Sequence, residues 1–160
     1  MKRLTAALLC AALLSGSVAA AEQPADAPQV EAKAAILMEQ ETGEVLCQQN
    51  AHDKLEPASV TKIMTLLLVM EAIDGGQLST GDTVTVSAHA ASMGGSQVYL
   101  KEGEQMTVDD LLKAVAVVSG NDAAVALAEH IAGSEEAFVS RMNQRAAELG
   151  MEDTTFLNCT

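Results

Sequence analysis

The sequence has few aromatic residues and few positive charges, and both shortages limit what it can be. Trp is absent, and one Tyr and two Phe are the only aromatic residues among 160. We therefore expect a core of Ala, Val, Leu, Ile and Met. Lys and Arg number 9 against 22 Asp and Glu, for a formal net charge of −13. A nucleic-acid-binding protein needs a basic face, so this balance argues against that class and predicts a well-solvated acidic surface.

Cysteine and histidine are also scarce. Two of the three cysteines, Cys47 and Cys159, lie outside the N-terminal segment. Two cysteines make no disulfide framework, so we expect both to be free thiols. The three histidines have no metal-ligand spacing, and we predict neither a metal site nor any other cofactor.

The first 21 residues have the composition of an export signal. Two basic residues precede a short apolar run over residues 6–14, and small residues follow as far as Ala21. Such a run is too short to span a membrane comfortably. We predict a signal peptide over residues 1–21, a flexible leader over residues 22–29, and an exported, extracytoplasmic protein of the cell envelope.

Apolar patterning predicts a hairpin followed by a buried helix. Residues 34–38 and 44–49 flank a turn at Gly43, which is free to take positive φ, and they are predicted to pair as two strands. Residues 58–73 are apolar on nearly every side. That pattern predicts a helix buried all round, and we expect the rest of the chain to be organised around it.

Helix start and stop signals predict three more helices downstream. Thr107 begins a capping-box-like sequence, Gly120 can stop a helix, and Ser134 can cap another. Helices are predicted over residues 111–118, 123–131 and 135–149, and extended segments over residues 83–86, 97–100 and 154–157.

Ser59 and Lys62 lie three residues apart at the start of the apolar helix. Residues at this spacing share one helical face. The apolar surroundings are expected to desolvate the lysine, which favours its neutral amine. A hydroxyl beside a neutral amine is a nucleophile beside its base. An isolated Ser-x-x-Lys, however, is more often a capping serine and a surface lysine.

Ser119 and Asn121 flank Gly120 on a predicted turn between two helices. A hydroxyl and an amide on such a turn could pass a proton to a leaving group and hold a substrate amide. Taken alone, this motif is better explained by helix capping. Ser-x-x-Lys together with Ser-x-Asn, however, is typical of penicillin-binding proteins and β-lactamases, where Lys-Thr-Gly is the third motif.

With these motifs on the chain, the sequence resembles the serine-type D-alanyl-D-alanine carboxypeptidases, the low-molecular-weight penicillin-binding proteins. The resemblance implies a penicillin-binding/β-lactamase-like transpeptidase fold of the α/β (α+β) class. It implies that residues 30–160 are the N-terminal portion of the catalytic domain, an N-terminal β-hairpin plus a helical cluster without the later sheet strands. It rests on the two motifs and on residues 34–38, 41–45, 94–97 and 119–124.

The resemblance also implies a role for each motif residue. Ser59 would be the acyl-ester nucleophile, Lys62 the general base, Ser119 a proton relay and Asn121 a substrate-binding residue. The implied partners are peptidoglycan stem peptides ending in D-Ala-D-Ala and β-lactam antibiotics. No metal or cofactor takes part in the implied chemistry.

One family motif is missing, because neither Lys-Thr-Gly nor Lys-Ser-Gly occurs in the sequence. In the family this motif lies on a strand that faces the nucleophile across the cleft. We therefore expect a truncated chain with exposed apolar faces and poor solubility, which could be inactive alone. A class A β-lactamase-like hydrolase and a non-catalytic remnant stay open as alternatives, although Gly120, where β-lactamases typically have Asp, favours the carboxypeptidase.

Overall fold

The structure, a computed structural model, describes residues 30–160, so the predicted signal peptide and leader lie outside the described residues. The chain divides into two units, Met1–Asp53 and Lys54–Thr160. The described part of the first unit holds two strands, and the second unit holds five α-helices and two short strands. Among the helices of residues 30–160, none has both the length and the apolar character needed to cross a membrane.

The first unit contains the predicted hairpin. Strands β1, Ala35–Met38, and β2, Val45–Gln49, pair antiparallel. In the turn between them the Glu39 carboxylate accepts hydrogen bonds from the backbone N–H of Thr42 at 2.6 Å and from its hydroxyl at 2.7 Å. Gly43 has a φ of 72°, the left-handed conformation that the sequence predicted for it.

The second unit begins with a 3-10 turn, Ala58–Thr61, which leads directly into α1, Lys62–Asp74. The expectation that this helix is buried all round is wrong. Thr65 is fully buried, whereas Ile63 is 67% exposed. The reason is that α1 packs with one face only against other helices. Its outer face therefore leaves apolar side chains such as Ile63 and Met70 exposed.

The central helix of the second unit is α4, Asn121–Ala132, in which residues 122–128 are all buried. Alanine makes up much of this stretch, and its small side chain lets neighbouring elements approach closely. The other elements are β3 (Thr83–Thr85), α2 (Ala88–Ala91), β4 (Gln105–Thr107), α3 (Val108–Val118) and α5 (Glu135–Glu148). All four other α-helices and β3 pack against α4.

The predicted helix caps at Thr107 and Ser134 are confirmed. The Thr107 hydroxyl accepts a hydrogen bond from the Asp110 N–H at 3.1 Å and thereby begins α3. The Ser134 hydroxyl accepts one from the Ala137 N–H at 3.1 Å and begins α5. These caps could be predicted because each depends on residues within one helical turn.

The extended segments were predicted less well. The segment at 83–86 contains β3, which pairs antiparallel with β4, a strand that the sequence did not predict. Residues 97–100 and 154–157 form no strand. In the first of these segments the N–H groups of Val98 and Leu100 donate to the Asp122 carboxylate instead of to a neighbouring strand.

The core of the second unit differs from the expected one in two residue types. Phe138 and Phe156 are both buried, although aromatic residues were not expected to contribute. No isoleucine of the described chain is fully buried, because the isoleucines lie on outer or boundary faces. Cys47 and Cys159 are free thiols, as predicted.

The close packing of α4 is tested by enlarging one buried alanine. Ala124 is fully buried, whereas Ala147 on α5 is exposed. We expect Ala124→Leu to lower the free energy of unfolding by about 1–3 kcal/mol, because extra methylenes strain a packed core. Ala147→Leu should change it by less than about 0.5 kcal/mol, because Ala and Leu have similar helix propensities. Chemical denaturation measures both, and equal effects would contradict the central position of α4.

Candidate active site

Ser59 and Lys62 meet at the junction between the 3-10 turn and α1. Lys62 Nζ lies 3.2 Å from Ser59 Oγ, within hydrogen-bond distance. Ser59 belongs to the 3-10 turn and is exposed, whereas Lys62 is the first residue of α1 and only 3% exposed. The side chain of an exposed residue therefore contacts the amine of a buried one.

Burial lowers the pKa of the Lys62 amine, because the charged ammonium loses water that the interior does not replace. A negative charge on Cys159 would oppose this effect and raise the lysine pKa. Burial, however, raises the pKa of the Cys159 thiol well above its usual range, so the thiol stays neutral near pH 7. Desolvation is therefore the effect that prevails at Lys62, as the sequence predicted.

Thr65 lies one turn after Lys62 on the same buried face of α1, and its hydrogen bond fixes this face. The Thr65 hydroxyl donates a hydrogen bond of 2.8 Å to the backbone carbonyl of Cys159, and both residues are buried. Glu135 accepts hydrogen bonds from the Cys159 N–H at 3.2 Å and from its thiol at 3.4 Å. A third contact, of 2.8 Å, joins Glu135 to His89 and raises the pKa of His89. Sequence analysis did not single out Thr65, Cys159 or Glu135 as neighbours of the pair.

The residue before the serine has an unusual backbone. Ala58 has a φ of 49°, which lies in the left-handed region. This conformation costs a non-glycine residue about 1–2 kcal/mol. Ser59 directly follows this strained residue in the turn that leads into α1.

Ser119 lies at the C-terminal end of α3 and also has a left-handed backbone, with a φ of 59°. Its Oγ is buried and has no hydrogen-bond partner in the described structure. A buried hydroxyl without a partner costs free energy, and proteins seldom keep one without a use. No hydrogen bond joins Ser119 or Asn121 to Ser59 or Lys62. The two motifs are linked through helix packing, because α1 contacts both α3 and α4.

Asn121 is the first residue of α4, and a loop over residues 94–100 holds it. Its side-chain Nδ2 donates to the Gly94 carbonyl at 2.7 Å. Its backbone N–H donates to the Ser96 carbonyl, also at 2.7 Å. The amide orientation follows from this contact, because a carbonyl can only accept and must face the NH₂ group.

Gly120 has little room for a side chain. A Cβ at this position would lie 3.1 Å from Asp122 Oδ1 and 3.5 Å from Ala123 Cβ. A larger residue, and an aspartate in particular, would press against the buried Asp122 carboxylate. The glycine that separated the carboxypeptidase from the β-lactamase pattern thus has a local physical reason.

A largely apolar groove of about 910 Å³ opens beside α1 in the second unit. None of the four motif residues lines it. Its apolar lining includes Ala58, Val60, Ile63, Leu67, Phe156 and Leu157. Ser59 and Lys62 are therefore sequence neighbours of residues that line the groove, but they do not line it themselves.

The comparisons with known proteins agree with the family that the sequence resembles. The family model described as D-alanyl-D-alanine carboxypeptidase (Peptidase_S11) matches residues 19–160. D-alanyl-D-alanine carboxypeptidase DacF of Bacillus subtilis is 50% identical, over 100% of this chain and 42% of its own length.

Solved structures of the same kind also superpose on the described chain. The D-alanyl-D-alanine carboxypeptidase DacD from Francisella tularensis has a TM-score of 0.79 and 42% identity, over 82% of this chain and 32% of that one. Penicillin-Binding Protein D2 from Listeria monocytogenes, solved in its ampicillin-bound form, has a TM-score of 0.72 and 33% identity, over 82% of this chain and 54% of that one. The chain therefore spans about a third to a half of the length of the relatives that it matches.

The buried hydroxyl of Ser119, which has no hydrogen-bond partner, leads to a prediction about stability. Ser119→Ala removes a buried hydroxyl that has no partner, so we expect the free energy of unfolding to stay constant or to rise by about 1 kcal/mol. Thr65→Val is the matched control, because it removes a buried hydroxyl that does have a partner. It leaves the Cys159 carbonyl unpaired and should cost about 1–3 kcal/mol. Thermal and chemical unfolding measure both, and a large loss with Ser119→Ala would show that its hydroxyl serves the fold.

Proposed function

The chain belongs to the D-alanyl-D-alanine carboxypeptidase family, and we propose that it forms the nucleophile side of a serine carboxypeptidase that acts on peptidoglycan stem peptides ending in D-Ala-D-Ala. The contact that carries this proposal is the 3.2 Å approach of the amine of Lys62, a buried residue, to the hydroxyl of Ser59, an exposed one. Acyl transfer needs a hydroxyl that is accessible to substrate and a base with a pKa lowered toward working pH. The exposure of Ser59 and the lowered pKa of Lys62 support this assignment.

Acylation begins when Ser59 Oγ attacks the carbonyl carbon between the last two D-alanines. The neutral Lys62 amine takes the hydroxyl proton as the Oγ–C bond forms. Ser59 lies in the first turn before α1, where backbone N–H groups have no partner further back along the helix. Its own N–H is therefore suited to donate to the oxygen on which negative charge develops.

Breakdown of the tetrahedral species releases the terminal D-alanine. The C–N bond breaks, and its nitrogen takes up the proton that Lys62 accepted. We assign the relay of that proton to Ser119, because its buried hydroxyl has no other partner. Asn121 holds the substrate backbone through its side-chain amide. Water then attacks the ester carbonyl, with Lys62 again as base, and restores the Ser59 hydroxyl.

A β-lactam would acylate the same serine. Its strained amide takes the place of the terminal peptide bond, and opening the ring forms the same Ser59 ester. The leaving nitrogen stays tethered to the acyl group, so the adduct is expected to last longer than the ester formed from the peptide. We also propose that the protein works outside the cytoplasm, where its substrate lies, after removal of residues 1–21 as a signal peptide.

Labelling with a fluorescent penicillin tests this proposal. The full-length gene product, without the signal peptide, should form a covalent adduct, and Ser59→Ala should form none. Lys62→Arg places a guanidinium that stays protonated and cannot supply a neutral base, so the acylation rate should fall by about 10²–10⁴-fold. Mass spectrometry locates the adduct.

Three outcomes separate the candidate functions. A labelled protein that releases D-alanine from a D-Ala-D-Ala peptide supports the carboxypeptidase. Rapid turnover of penicillin without release of D-alanine would favour a β-lactamase-like hydrolase. A folded protein that shows no serine-dependent labelling would overturn the proposal and favour a non-catalytic role.

A further inference from the structure

Asp122 lies beside Asn121 in the first turn of α4, and no step of the proposed reaction uses it. Its side chain is only 1% exposed. None of the ion pairs among residues 30–160 includes it. A buried carboxylate without a cation is costly unless hydrogen bonds replace the lost water. The partners of Asp122 should therefore reveal why the chain keeps it.

Backbone N–H groups from two segments supply those hydrogen bonds. Oδ2 accepts from Val98 and from Leu100, each at 3.0 Å. Oδ1 accepts from Ala123 at 2.9 Å, and the Val98 N–H also lies 3.2 Å from it. The N-terminus of α4 adds a favourable electrostatic field for the carboxylate. One side chain thus joins α4 to the loop over residues 94–100.

The shape of this loop depends on the carboxylate. Tyr99 lies between the two loop residues that donate to Asp122, and its φ of 62° is left-handed. This conformation costs about 1–2 kcal/mol for a residue other than glycine. Packing cannot hold it in place, because the Tyr99 side chain is 77% exposed. The hydrogen bonds on either side of Tyr99 are the contacts that hold the strained backbone.

The other end of the loop fixes Asn121. The Gly94 carbonyl accepts from its Nδ2 and the Ser96 carbonyl from its backbone N–H, both at 2.7 Å. The Asn121 amide therefore has one N–H committed to the loop. Its second N–H and its Oδ1 take part in none of the hydrogen bonds of the described chain. One donor and one acceptor thus remain for an amide group on a ligand.

We propose that Asp122 is a positioning residue for the acylation site: its carboxylate shapes the loop over residues 94–100, and this loop orients the Asn121 amide toward the acylamido group of the acyl donor. This inference rests on the proposed function, because Asp122 acts only through Asn121. A helix cap that served stability alone would not distinguish between acyl donors. Specificity for the donor's amide group is therefore the property to measure.

Two β-lactams separate positioning from stability. Benzylpenicillin has an acylamido side chain that Asn121 could bind, whereas 6-aminopenicillanic acid lacks it. The second-order rate constant for acylation of Ser59 is measured for both in the full-length protein, by competition with fluorescent penicillin. Asp122→Asn keeps the shape of the side chain but replaces one acceptor with an NH₂ donor. We expect a loss of about tenfold for benzylpenicillin, the effect of about one hydrogen bond, and less than about threefold for 6-aminopenicillanic acid.

A double-mutant cycle with Asn121→Ala tests the route of the effect. If Asp122 acts through Asn121, adding Asp122→Asn to Asn121→Ala should change the benzylpenicillin rate by less than about threefold. Equal losses for the two β-lactams, or full additivity of the two substitutions, would overturn the proposal. Such a result would leave Asp122 with a role in folding only.

A glycine pair provides a second route that leaves Asp122 intact. A Cβ at Gly95 would lie 2.9 Å from Asn121 Nδ2, whereas a Cβ at Gly103 would have nothing within 4 Å. Their φ angles, 77° and 78°, impose the same backbone strain on an alanine. Gly95→Ala should therefore reproduce the selective loss with benzylpenicillin, and Gly103→Ala should not. Equal behaviour of the two variants would count against the proposal even if Asp122→Asn does not fold.

The experiment also separates this inference from the function on which it rests. Wild-type protein that acylates while Ser59→Ala does not supports the proposed function whatever Asp122→Asn does. Wild-type protein that is not acylated by either β-lactam overturns both proposals.

Discussion

The arrangement of the candidate site depends on keeping one amine away from water. Lys62 begins α1 and is almost fully buried, while the hydroxyl that it contacts, Ser59, is exposed. Burial lowers the lysine pKa, and the neutral thiol of Cys159 does not cancel this effect. The cost is a buried polar group close to the core. In the proposed function, the benefit is a base beside a nucleophile that a substrate can reach.

A second polar group organises the other half of the site from within the core. Asp122 accepts hydrogen bonds from backbone N–H groups of α4 and of the loop over residues 94–100. This loop in turn accepts a hydrogen bond from the Asn121 side chain. Gly120 leaves room for this carboxylate, since a Cβ there would lie 3.1 Å from it. The Ser-Gly-Asn motif and the aspartate that follows it are therefore connected through the same loop. Both halves of the site are attached to the same packed helices, because α1 contacts α4.

Features that depend on nearby residues could be predicted from the sequence. The hairpin turn at Gly43, the cap at Thr107, and the approach of Lys62 to Ser59 all arise within a few residues. The position of α4 at the centre could not be predicted from the sequence. The alanine-rich α4 and the leucine-rich α1 are both apolar in sequence, and only the packing of the folded chain determines which of them is enclosed. Nor could the hydrogen bonds of Asp122 to Val98 and Leu100 be predicted, because these two residues lie more than twenty residues earlier in a loop without regular structure.

The central claim, that burial lowers the pKa of the Lys62 amine beside Ser59, can be measured directly. Lysines labelled with ¹⁵N at Nζ are titrated by NMR in the full-length protein, and Lys62→Arg identifies the Lys62 signal by its disappearance. The account predicts that this amine loses its proton at a lower pH than the exposed lysines do, because burial lowers its pKa. If Lys62 instead titrates together with the exposed lysines, it is an ammonium at working pH, and the proposed base is contradicted.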